Sequence, residues 1–465
     1  MKITQLSDLD CHKKLVPLIG AFFLFAGCSE IGVDPEVRFG LIILFAIISF
    51  VAIFTKPILG IYAVSVVSVV FSPPIRIGFV NLYFHQWVIL VALLASLSSG
   101  LILENLHTKI RSEINVPMTI FIGSLFLAMA HARNTVIGMK SFLCVGVLIA
   151  SYYLVLLCIN TERHIQVFIV LLLTATTGIC ALSLWFHGSG RLGSLVLRNP
   201  NSFGNFLALV IPFCVSLLFH GRLTGGQKLV LVLSLVLMFV SLVLTFSRSA
   251  WVGVFLGIIS LSVMKPRAPV FFLICGIIAA GFLFSPIQKR IFKDIHDPGA
   301  QYRITKASIA YNKFKERPIL GNGLGSFHYE AQFSDIWAYR AHSTLENNYL
   351  LMLAEGGIIE FLAFLYLIVT LGKKSIVLLK RIRDPFLYPI LLGSIASVIS
   401  TLGAGMFEDT LFFPKNNWLI GMFMGLIILT GQIYEGSLTA SKALEDEARG
   451  RHREHEFSNG GRLKS

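Results

Sequence analysis

"HSTLENNYLLMLAEGGIIEFLAFL", residues 342–365, decides how the chain is read. It opens polar, with His342, Glu346 and two asparagines, and from Tyr349 it becomes an apolar run that continues to residue 372. A helix needs about 20 apolar residues to cross a bilayer. The polar mouth of this run therefore lies at a membrane boundary. His342 and Glu346 are four residues apart, so on a helix they share a face.

Thirteen further windows of this kind occur, near 15–33, 37–55, 57–72, 83–103, 115–131, 139–159, 165–186, 203–220, 229–246, 250–264, 269–285, 385–403 and 416–432. The composition agrees: 55% of residues are hydrophobic, 14% are charged, and mean hydropathy is +0.76. Such a chain is not a soluble globular domain. The reading is an all-α polytopic membrane protein with 12–14 transmembrane helices and one long external loop, 286–345, containing short helices. The first apolar stretch lacks a small-residue cleavage site followed by a soluble domain, so it reads as a span rather than a removed signal.

With fourteen spans and a cytoplasmic N-terminus, inside-facing short segments hold sixteen Lys and Arg and outside-facing ones hold eight. That bias predicts both termini inside and the 286–345 loop outside. The net charge of +14 follows mainly from topology and contact with membrane lipids. The segment 433–465 is polar and mixed in charge and is expected to be a disordered cytoplasmic tail, with no nucleic-acid partner. Six of the seven cysteines lie inside apolar segments and read as small core residues. There is no nucleotide-binding loop, no HExxH and no evident internal repeat. Three regions result: N-terminal transmembrane helices over 1–187, a polar-punctuated region over 188–432, and the tail.

The polar residues concentrate at the outer face. "GSGRLGSLVLRNPNSFGNFLALVIP" (188–212) brings Arg191, Arg198 and Asn201 to the start of a span. Snorkelling arginines would account for this equally well. "TFSRSAWVGV" (245–254) sets the lone cation Arg248 between two apolar runs, where charge is costly unless it faces a cavity or a partner. The 286–345 loop holds nine Lys and Arg against five acids, which suits an anionic ligand such as phosphate. Within it, "YRITKASIAYNKFKE" (302–316) spaces Ile304, Ile309, Tyr311 and Phe314 as an amphipathic helix fit to lie on a membrane surface, and "RPILGNGLGSF" (317–327) must break that helix. At the loop's end, His342 suits a general base and Glu346 suits its replacement or orienter. An interfacial His beside a helix-capping Glu is the plainer alternative.

These pieces, in this order, resemble the O-antigen ligase/polymerase superfamily of bacterial envelope glycosyltransferases. The resemblance extends over residues 188–365 and is carried by the Arg191 segment, the Thr-x-Ser-Arg at Arg248, the Arg303 helix with its Pro-x-x-Gly-x-Gly-x-Gly-x-Phe, and the Asn-x-Tyr-Leu…Glu-x-Gly after Glu346. It implies a membrane glycosyltransferase in the cell inner membrane that moves a glycan from an undecaprenyl-diphosphate-linked donor to an acceptor hydroxyl on lipid A core, a glycan or a protein. Transfer would be inverting and metal-independent, with no cofactor. It implies that Arg248, Arg303 and Arg191 hold the diphosphate, that Arg198, Asn201 and Asn347 are secondary contacts, and that His342 or Glu346 is the base. The sequence departs from the family's pattern at one point: the family's histidine position falls on Glu346, with His342 one turn earlier. The alternative function is a transporter or flippase of lipid-linked glycans, which would place ionisable residues near the midplane of two related halves.

Overall fold

The computed structural model describes residues 50–70, 74–77, 80–102, 109–188, 190–194, 199–265, 298–334, 344–412 and 415–460. Apolar helices dominate: α1 (Ile58–Val70), α2 (Phe84–Ile102), α3 (Asn115–Ala130), α4 (Thr135–Cys158), α5 (Glu162–Trp185), α6 (Pro200–His220), α7 (Gly225–Thr245) and α8 (Arg248–Met264). After α9 (Pro298–Glu316) and the short α10 (Ser326–Ala331) come α11 (Asn348–Arg381), α12 (Leu387–Ala404) and α13 (Asn417–Gly460). Seven of these helices are long and apolar enough to span a membrane, and α1, α2, α3 and α8 are shorter apolar helices. The protein is an all-α polytopic membrane protein. Eleven of the fourteen sequence windows fall on described helices; those at 15–33 and 269–285, and most of 37–55, lie outside the described residues.

Among the described residues the one regular element other than helix is a hairpin that the sequence did not announce. Strand β1 (Pro74–Ile77) pairs antiparallel with β2 (Val80–Tyr83), with Pro74 opposite Tyr83 and Ile77 opposite Val80.

The core is built where α6 packs against α8 and α12, and α13 against α4 and α12. Helix α6 contains Pro212, which has no N–H to give the carbonyl of Ala208. The Ser400 hydroxyl of α12 donates to that carbonyl at 2.7 Å, and Ser397 donates to Leu209 O at 2.6 Å. In hydrocarbon each freed backbone group must find such a partner. The two serines therefore fix the register of α12 on α6.

Helix α9 forms over the expected segment and packs on α11. Its Ile304 is 63% exposed and Tyr311 50%, which leaves them open to a membrane surface, while Lys306 is 1% exposed and Ala310 is fully buried. On the inward side Lys306 and Lys313 pair with the half-buried carboxylates of Glu346 and Glu330. One expectation is corrected here. The segment after residue 433, read as a disordered tail, continues α13 as helix to Gly460. Its run "SKALEDEAR" is rich in residues of high helix propensity.

Candidate active site

Helix α11 is kinked, and the kink organises one end of the bundle. Gly357 takes φ +66 and ψ −163 inside the helix, a conformation open almost only to glycine. The turn after α9 docks there. Asn322 N donates to Ala354 O at 3.0 Å, Gly323 N to Glu355 O at 2.8 Å, and Ile358 N to Pro318 O at 2.8 Å. The glycines expected to break α9 do so with positive φ at Gly321, Gly323 and Gly325. A Cβ at Gly321 would strike the Glu355 carbonyl, so the close approach requires glycine. The buried Glu355 carboxylate accepts from Gly325 N at 2.8 Å and Phe327 N at 3.0 Å, capping α10. Two sequence motifs distant in the chain thus form one rigid joint.

That joint aims α9 at the start of α11. The Arg303 guanidinium pairs with the Glu346 carboxylate through Oε2. Lys306, one turn on, lies 3.6 Å from Glu346 Oε1 and donates to Thr344 O at 2.9 Å. Burial pushes the Glu346 carboxyl up, but Arg303 and Lys306 outweigh it and hold the group below the usual carboxylate range. Asn347 is the N-cap of α11, accepting from Tyr349 N and Leu350 N, and its amide donates to Met406 O at 2.9 Å. Asn348 reaches Gly405 O, Thr410 and Leu411 N. The α12–α13 segment is in this way clasped to the mouth of α11.

Arg191 approaches from a separate direction. Its Nε donates to Thr245 O at 2.9 Å, and its guanidinium also binds Asn201, at the start of α6. Thr245 lies three residues before Arg248, the first residue of α8, so Arg191 and Arg248 flank one turn. Asn201 Nδ2 in turn donates to Glu408 Oε2 at 3.2 Å. The chain Arg191–Asn201–Glu408 leads towards Arg303 and Lys306, whose charges act on the Glu408 carboxyl. Burial, then Asp409, then Glu346 push that carboxyl up to about 8 against their pull. Asp409, buried beside it, is pushed up to about 6.

The structure therefore brings Arg191, Asn201, Arg303, Glu346 and Asn347 into one network, with Arg248 at its edge. Arg198 and His342 lie outside the described residues. Sequence reasoning missed Lys306, Glu408 and Asp409. Their signals were present: a lysine one turn after Arg303, and adjacent carboxylates in the otherwise apolar "GMFEDTLFF".

Arginines and a lysine gather at one end of a many-helix membrane bundle, an arrangement whose charge suits an anionic group. A family model described as O-antigen ligase matches residues 233–365, from within α7 to the first half of α11. That match shows that residues 233–365 are similar to the O-antigen ligase family and supports a membrane glycan enzyme of the O-antigen ligase/polymerase type. Arg248, Arg303 and Glu346 lie inside the matched stretch, and Arg191 and Asn201 precede it. No curated protein matches the sequence significantly.

Proposed function

We propose that the protein transfers a glycan from an undecaprenyl-diphosphate-linked donor to an acceptor hydroxyl at the outer face of the inner membrane, with inversion and without a metal. The observation that carries this reading is the convergence of Arg303, Lys306 and Arg191 on one polar network at the end that charge bias assigns to the outside. A diphosphate leaving group develops negative charge as the glycosidic bond breaks, and fixed cations aimed at that charge stabilise it. Arginine suits the role because its planar fork meets phosphate oxygens in pairs. Arg248, Arg303 and Arg191 are the diphosphate ligands in this reading, Asn201 positions Arg191, and Asn347 holds the mouth of α11.

In the state described, carboxylates neutralise the cations. Glu346 holds Arg303 and Lys306, and the arriving diphosphate would compete with it for them. The test is transfer by the purified chain in proteoliposomes, with an undecaprenyl-diphosphate-linked oligosaccharide and, separately, lipid A core, a free glycan end or a Ser/Thr peptide as acceptor. Arg303→Ala and Arg248→Ala should reduce transfer by roughly 10²–10³-fold while the protein accumulates normally, and Arg→Lys should rescue poorly. Undiminished transfer by Arg303→Ala would remove that residue from the site. Equilibration of the donor across the bilayer without glycosidic cleavage would instead favour the flippase alternative.

A further inference from the structure

Inverting transfer needs a base for the acceptor hydroxyl, and the two sequence candidates are His342 and Glu346. The geometry makes Glu346 a poor one. Both of its oxygens face cations, Oε2 the Arg303 guanidinium and Oε1 the Lys306 ammonium. A carboxylate committed on both sides, with its proton affinity lowered by those partners, has little tendency to take a proton.

We propose that Glu408 is the general base of the transfer, taking the acceptor's proton on its free carboxylate oxygen, while Glu346 holds the cations. This rests on the glycan-transfer reading above. Glu408 is half-buried in the segment between α12 and α13. Its Oε2 accepts from Asn201, whereas its Oε1 has no hydrogen-bond partner among the described residues. The residue cannot drift. The backbone before it is held by Asn348 N on Gly405 O and Asn347 Nδ2 on Met406 O, and the backbone after it by Asn348 Oδ1 on Leu411 N. Asn201 bridges Glu408 to Arg191 on one side, and Arg303 and Lys306 act on it from the other. A hydroxyl delivered to Oε1 would therefore lie among the cations that hold the leaving group.

The step balances. The hydroxyl proton passes to Glu408 Oε1, and the hydroxyl oxygen forms the new bond to the anomeric carbon. The bond from that carbon to the phosphate oxygen breaks, and its electron pair leaves with the lipid diphosphate. Glu408 then loses the proton to water. The charged groups acting on Glu408 are Asp409 and Glu346, which favour its neutral form, and Arg303 and Lys306, which oppose them. A base works best when its proton affinity matches the working pH, and a carboxyl pushed up to about 8 meets that condition.

The pH profile of kcat/KM in the proteoliposome assay separates the three bases. With Glu408, activity falls as pH drops through about 8, because the base becomes protonated. An ordinary histidine would place that fall at about 6.5, and Glu346, held down by Arg303 and Lys306, would place it below the usual carboxylate range. Glu408→Gln should lose about 10²–10⁴-fold in kcat with little change in donor KM. Glu346→Gln should change donor KM far more than kcat and move the fall to lower pH, because it removes a negative charge that raises Glu408. Glu408→Asp, which retains a carboxylate, covers the case in which Glu408→Gln does not accumulate, and it should keep a pH-dependent base with reduced kcat. Full kcat in Glu408→Gln, or a fall near 6.5 that vanishes in His342→Ala, would overturn the proposal. Wild-type transfer by Arg303→Ala would instead remove the diphosphate reading on which it rests.

Discussion

At its Glu346 end α11 meets a glycine-rich turn, a short helix and the α12–α13 segment, and the charges there are multiply bonded, with Lys306 buried and Glu346 half-buried. At its Lys374 end the same helix carries Lys374 paired with Glu113 at 2.9 Å and Arg381 with Glu435 at 3.7 Å. Those pairs are open to solvent, Glu113 to 68%. Arg111, Glu113, Lys374, Gln432 and Glu435 line a loose cavity of about 390 Å³ there. Both ends are rich in cations, but they differ in what holds those cations. Solvated pairs orient a protein in a membrane and add little stability. At the Glu346 end each charge has more than one partner, so removing one leaves the others unbalanced.

The contrast predicts unequal costs. The largest should come from Glu355→Ala, which orphans the buried N–H groups of Gly325 and Phe327. A loss of about 2–5 kcal/mol is expected, read as a lower unfolding temperature in detergent, with Glu355→Gln milder because it keeps an acceptor. Equal stability of Glu355→Ala and wild type would mean that the joint does not hold the site end together.

Gly357→Ala comes next. Its backbone conformation strains any side chain, and a Cβ would collide with the Ile319 carbonyl. The expected cost is about 1–3 kcal/mol. Because the α9 turn docks on this kink, transfer should fall with stability. Unchanged transfer would uncouple the kink from the aim of Arg303.

The smallest effect belongs to Lys374→Ala. Its exposed partner limits the expected loss to about 0–1 kcal/mol, with transfer unchanged. A large loss of transfer would make the Lys374 end functional and erase the contrast.

The same contrast marks what the sequence could tell. Spans were legible because length and hydropathy are local, and the α9 breaker was legible because proline and glycine act locally. Arg303 and Glu346 were marked out by being polar where the surroundings are not. Their pairing was not visible, because it depends on the Gly321–Gly325 turn seating on Gly357 of a distant helix. The inward face of α9 was not visible for the same reason: Lys306 is buried by a partner across 38 residues of chain. Glu408 carries no motif, and the clasp of Asn347 and Asn348 on its segment, with the hydrogen bond from Asn201, brings it to the site.

The central claim, that the cation network opens on the outer face while the Lys374 end faces the cytoplasm, is tested most directly by labelling intact cells with a membrane-impermeant maleimide. In a background without native cysteines, Ser334→Cys, just after α10, should label in intact cells. Ser437→Cys, beyond the apolar part of α13, should label only after permeabilisation. The reverse pattern would put Arg303 and Glu346 in the cytoplasm, away from the side on which a lipid-linked glycan is offered, and would contradict the account.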